Sequence, residues 1–158
     1  MHSLISQTPA SRQHRPQYAA GTLLVKRARD SISGDDGLRI LVDRLWPIGM
    51  TKRRVGADLW LREAGPSIAL NRWHCHLHTS SGWASFSRRY RAELAQREDL
   101  LCLLDDLLCR SRLTLLSDTS DVIHSNAAAL RDVLNERKAK ADARRGAKRE
   151  CPGHPEPA

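Results

Sequence analysis

A chain of 158 residues, 41% hydrophobic and carrying a formal charge of +8, has the material for one domain with a real core and too little for two ordinary ones. Residues 22–134 hold 17 Lys/Arg against 14 Asp/Glu, so five of the eight charges fall outside the expected fold, whereas a nucleic-acid reading surface needs its excess on the domain itself. Four cysteines without a CxxC pair suggest neither a disulfide framework nor a zinc ribbon, and no apolar run reaches the length of a membrane span or a secretory signal, so the expected setting is cytoplasmic, away from membranes.

Residues 1–21 are polar, contain Pro9 and Pro16, and show no structural period, which predicts a disordered arm. Thr22 to Lys26 predicts a first strand, followed by a turn-rich loop at Ser33 to Gly37. A second strand is expected from Arg39 to Trp46, ended by Pro47 and Gly49; its pairing with the first is open between antiparallel hairpin and parallel neighbours. Met50 to Glu63 predicts a short or broken helix capped by Thr51, and Ser67 caps a brief helical turn through Leu70 to Trp73. From Gly82, the spacing of Trp83, Phe86, Tyr90 and Leu94 predicts an amphipathic helix. Glu98-Asp99 opens another helix, apolar nearly all round from Leu100 to Leu108 and expected to be well buried. Leu113 to Leu116 is the last strand, and Ser120 or Asp121 is the expected cap of a final helix with Ile123, Ala127, Leu130 and Leu134 on its buried stripe. That helix is expected to fray beyond Glu136. The expected organisation is an arm over 1–21, a domain over 22–137 and a basic, low-complexity disordered tail over 138–158. The fold class is α/β, a small single-domain sheet of about three to four strands packed against several helices.

Asp43 and Arg44 interrupt an apolar strand where ligands collect in open α/β sheets, so Arg44 is a candidate anion clamp and Asp43 a candidate acid–base group, against a structural ion pair. His74, His76 and His78 alternate as metal ligands would in an extended segment, against the simpler reading of solvated loop histidines. His124, placed in the first turn of the last helix, is a candidate general base beside an anion-binding helix N-terminus, against a residue that merely flanks the apolar stripe. Cys102 and Cys109, seven apart, read as inert buried packing, and the four tryptophans as core or pocket walls.

The segments VKRARDSISGDDGLRILVDRLWPIGM, Trp73 to His76, Trp83 to Leu94 and LTLLSDTSDVIHSNAAAL together resemble the YeaO-like family of bacterial domains of unknown function, over about residues 22–135. The resemblance implies a small cytoplasmic α/β domain and no established activity. Asp43, Arg44, Trp46, Pro47 and Gly49 match its DRLWPRG pattern, while Ile48 replaces a usual arginine; His74 and His78 depart from its WFxHxP pattern. Ser117, Ser120 and Ser125 replace its tyrosine, lysine and asparagine.

The leading expectation is an anion-binding domain, or an enzyme acting on a phosphorylated or nucleotide-like small molecule. Asp43, His76 and His124 are its catalytic candidates, and Lys26, Arg27, Arg39, Arg44 and Asp121 its ligand-binding candidates. The alternatives are a non-catalytic nucleic-acid- or protein-binding module using surface arginines and the basic tail, and a histidine metal site. No cofactor is specified by the sequence.

Overall fold

The structure is a computed structural model that describes residues 20–75 and 80–149. Four strands, β1 (Leu23–Arg27), β2 (Leu38–Leu41), β3 (Leu59–Trp60) and β4 (Leu113–Ser117), form one all-parallel sheet in the order β1-β4-β2-β3. β4 is buried along its whole length because it has a strand on both edges and cover on both faces, which is why LTLL carries no alternation. The first two strands are parallel, as one of the two expected arrangements required, but β4 lies between them and pairs with each.

The two faces of the sheet are covered differently. Leu23, Val25, Leu38, Ile40, Leu113 and Leu115 point toward three long helices: α3 (Ser80–Ala95), α4 (Glu98–Arg110) and α5 (Asn126–Arg149). Phe86, Tyr90, Leu94, Leu101, Leu104, Leu130 and Leu134 fill that side. The opposite face carries a smaller cluster of Leu41, Leu116, Ala28, Met50 and Val55, covered by the loop after β2 and by the single helical turn α1 (Lys52–Val55). Thr51 caps α1 through its Oγ1, as expected, and Gly56 closes it in the left-handed region at φ 56°.

On that second face lies a buried ion cluster. Asp36 and Arg39 are 1% and 3% exposed. Asp36 accepts from Lys26 Nζ at 2.5 Å, from the Ser33 backbone N–H at 3.0 Å and from Arg39 Nη1. Arg39 gives its other donors to the Val55 and Gly56 carbonyls, tying α1 to β2. Burial pushes the Asp36 carboxyl up, but the bonds from Lys26, Ser33 and Arg39 outweigh it and hold the group below its ordinary value.

Several elements differ from the sequence reading for identifiable reasons. β2 ends at Leu41 instead of Trp46, because the Asp43 and Arg44 carbonyls leave the ladder to accept from Trp60 Nε1 and Arg62 Nε. Leu59 and Trp60, expected within a short or broken helix over Met50 to Glu63, instead form the edge strand β3. Helix α2 (Ile68–Cys75) is capped by Ser67 as expected, with Leu70 N–H donating to its Oγ at 3.1 Å. Helix α4 buries only one face: Leu103 is 45% exposed, and Cys102 and Cys109 are exposed where packing was expected. The last helix begins at Asn126, several residues later than either expected cap, and runs through the basic stretch to Arg149. Among the described residues, no helix is long and apolar enough to cross a membrane.

Removing Arg39 takes one of two cations from a buried carboxylate and the guanidinium donors from two carbonyls. Arg39→Ala is expected to lower the free energy of unfolding by about 3–5 kcal/mol, read from urea midpoints. Because the folded-state pKa of Asp36 is lowered, its contribution is present above the ordinary carboxylate range and lost as pH falls through the folded value. Acid unfolding of the variant should therefore begin at higher pH than in the parent chain.

Candidate functional site

The carboxyl ends of β2 and β4 open onto a cleft of about 390 Å³, the place where open parallel sheets hold ligands. Its floor is made by Asp43. One carboxylate oxygen lies 2.8 Å from Ser117 Oγ and 3.1 Å from Asn126 Nδ2, and the other accepts the Asp118 backbone N–H at 2.5 Å. Asn126 is oriented by the Val42 carbonyl, to which its Nδ2 donates at 2.9 Å, so its Oδ1 faces Ser117 Oγ at 2.9 Å. Ser117 thus has one proton and two oxygen neighbours. A proton on Asp43 completes the chain, with Asp43 donating to Ser117 and Ser117 to Asn126. Burial pushes the Asp43 carboxyl above its ordinary value in the same sense; bonds from Asp118 N–H, Ser117 and Asn126 oppose this, and the Asp118 charge adds to it.

Arg44, the next residue, turns the other way and gives its Nε to the Pro66 carbonyl at 3.0 Å and its Nη2 to the Gly65 carbonyl at 3.2 Å. The close approach requires glycine at 65, where a Cβ would lie 2.5 Å from the Arg44 backbone nitrogen. Arg44 stands between this cleft and a second one of about 520 Å³ lined by Glu63, Gln96 and Arg97. Tyr90, fully buried, donates to the Ala64 carbonyl behind it.

His124 is in the loop before α5, not in the helix. Asp121 accepts from the Ile123 and His124 backbone N–H groups at 3.0 and 3.1 Å and from His124 Nδ1 at 2.7 Å. The His124 bonds hold the Asp121 carboxyl below its ordinary value. The helix is capped instead by Ser125, whose Oγ accepts Ala128 N–H at 3.1 Å and whose carbonyl accepts Ala129 N–H. The helix N-terminus expected to bind an anion beside His124 is therefore already capped from within the chain. His124 meets the edge of Trp83 with ring centroids 5.4 Å apart, and His74 stacks on Phe86 at 4.3 Å. Burial lowers the pKa of His74, and its Nδ1 has no partner among the described residues.

Of the sequence-derived candidates, Asp43, Arg44 and His124 line this cleft, with Asp121 orienting His124. Lys26 and Arg39 are on the second face of the sheet, bound to Asp36, and Arg27 pairs with Asp30 at the surface. His76 and His78 lie outside the described residues. Among the described residues, no three His, Cys, Asp or Glu side chains gather to hold a metal ion. Sequence reasoning passed over Ser117, Asn126, Asn71 and His74 as members of one cleft. Asn126 had a signal, an amide at the first position of an alanine-rich helix, where its side chain is free to turn back onto the sheet.

Because folding raises the Asp43 pKa, the folded state is favoured most below the ordinary carboxylate pKa. Stability declines as pH rises from there through the raised value. Asp43→Asn should remove that decline. Thermal midpoints measured from about pH 4 to pH 7 are expected to fall in the parent chain and to stay nearly level in the variant. An equal fall in both would refute the neutral-carboxyl reading.

The model of the family described as the inactive DUF488-N3 subclade matches residues 22–153. The uncharacterized protein YeaO of Escherichia coli (strain K12) is 38% identical over 110 residues, covering 69% of this chain and 93% of the relative. An uncharacterized protein of Mycobacterium tuberculosis (strain ATCC 25618 / H37Rv) is 36% identical over 113 residues, covering 72% and 93% respectively. No solved structure gives a significant match. With its motifs and its cleft-forming residues all inside the matched span, the chain belongs to the inactive DUF488-N3 subclade, a YeaO-like family of unknown function.

Proposed function

We propose that this chain is a non-catalytic binding domain that holds a small anionic molecule in the cleft at the carboxyl ends of β2 and β4. The observation that carries the reading is Arg44: its guanidinium is half-buried, aimed by two backbone carbonyls, and has no acidic partner among the described residues. A positioned cation without a counter-ion favours an anion at the cleft wall. Two observations count against turnover. Asp43 has both oxygens occupied and its burial favours the neutral form, and Ser117, the hydroxyl beside it, is 3% exposed. The family's description as inactive agrees with this.

A second reading is supported by Asp121 and His124. A carboxylate 2.7 Å from Nδ1 fixes the imidazole and leaves Nε2 without a partner among the described residues, the arrangement of an oriented general base. It would apply if a bound molecule brought its own nucleophile.

The test is a thermal-shift and calorimetric screen of the full chain against acetate, phosphate, larger carboxylates and nucleoside monophosphates. A ligand at a hundred times its Kd should stabilise the fold by about 2.7 kcal/mol. Arg44→Met should abolish that gain while His124→Gln reduces it only slightly, circular dichroism confirming that both variants fold. Binding unchanged in Arg44→Met would overturn the anion reading. Loss in His124→Gln alone, with the ligand chemically altered by the parent chain, would favour the general-base reading.

A further inference from the structure

The mouth of the cleft is formed by two aliphatic side chains that the fold leaves in water. Leu45 is 72% exposed and Ile48 87% exposed, and both line the same cleft. Scattered exposed leucines need no explanation, but Ile48 is at the tip of a β-turn, where polar residues are the rule. The turn is closed by Met50 N–H donating to the Pro47 carbonyl at 3.2 Å, with Gly49 at φ 73° as a type II turn requires. It is also braced on both sides. Trp46 Nε1 donates to the Met50 carbonyl at 2.7 Å, and Arg29 Nη2 to the Ile48 carbonyl at 3.1 Å. The aliphatic pair is thus held at the cleft edge by a fixed frame, with Pro66 and Phe86 continuing the apolar wall inward.

The charges of the cleft set a second limit. Arg44 is the cation without an acidic partner among the described residues. Arg29 is bound to Asp118 at 2.8 Å, and Asp43 and Asp118 both line the floor. A dianionic phosphate would bring two charges to one guanidinium, since Arg29 is already taken by Asp118. Phosphate sites ordinarily draw on backbone N–H groups at a helix start, and in α5 the Ala128 and Ala129 N–H groups already bond to Ser125.

Resting on the anion-binding reading, we infer that the ligand is a small amphipathic monocarboxylate, its single charge on Arg44 and its apolar body against Leu45, Ile48 and Pro66. Both features are then explained by one molecule: the unpaired guanidinium and the aliphatic lip are satisfied together. A neutral apolar compound would leave Arg44 unpaired, and a compact inorganic anion would leave Leu45 and Ile48 in water.

The experiment is calorimetric titration of the full chain with acetate, butyrate, hexanoate and benzoate, with inorganic phosphate and neutral hexanol as controls, alongside the solution mass. Affinity is expected to rise about fourfold for each methylene that enters the cleft. Ile48→Ser should weaken hexanoate about tenfold and leave acetate unchanged. Acetate or phosphate binding as tightly as hexanoate would overturn the amphipathic ligand and leave the anion reading standing. Hexanol binding as tightly as hexanoate would overturn both, as would no binding by any compound. A dimer that Ile48→Ser dissociates would assign the aliphatic lip to a second copy of the chain and overturn the inference.

Discussion

The carboxyl group of Asp43, together with the Asn126 amide, ties three pieces of chain to one point: the end of β2, the end of β4 and the first residue of α5. Everything at the cleft follows from that junction. Beside it the chain leaves the β2 ladder, Arg44 bonds the Gly65-Pro66 carbonyls, and the turn at Pro47 to Met50 follows at the opening. Both oxygens of the junction carry hydrogen bonds from within the chain. A partly buried acid bonded in this way is a structural group first.

The molecule separates its charges by task. One set, Lys26, Asp36 and Arg39, is taken into the second face of the sheet and fastens the α1 turn. Such a cluster is costly to break and adds little beyond what apolar packing would supply. A second set holds helices together at the surface, with Arg137 of α5 bonded to Asp105 and Glu98 of α4 and Arg91 of α3 to Glu136. What distinguishes Arg44 from both sets is that, among the described residues, it bonds only carbonyls.

Much of this architecture was legible in the sequence because it rests on local rules. The caps at Thr51 and Ser67, the apolar spacing of α3 and the continuous apolar run of β4 each follow from a few adjacent residues. The unread parts depend on partners far along the chain. β3 is two residues long and exists because Leu41 and Ile40 lie beside it, so no periodicity announces it. α5 starts later than its sequence suggests because Asp121 has a capping residue's chemistry but spends it on an Asx turn around His124. The exposure of Cys102 and Cys109 follows from how few helices cover α4, which composition does not record. At the site, Asp43, Arg44 and His124 stand out in the sequence, yet Lys26 and Arg39 are drawn to Asp36, with Arg39 beside Thr114 and short of the carboxyl ends where the cleft opens.

The bond from Lys138 Nζ to the Gly21 carbonyl, 2.9 Å long, fastens the entry to β1 against the middle of α5. Gly21 N–H is meanwhile held by the Leu108 carbonyl of α4. The point where the chain enters the sheet and the point where α5 leaves the packed core are therefore neighbours in space. Because Gly21 is bonded on one side to α4 and on the other to α5, this edge of the sheet is set only once both helices are docked, and a change at Lys138 reaches the first strand directly.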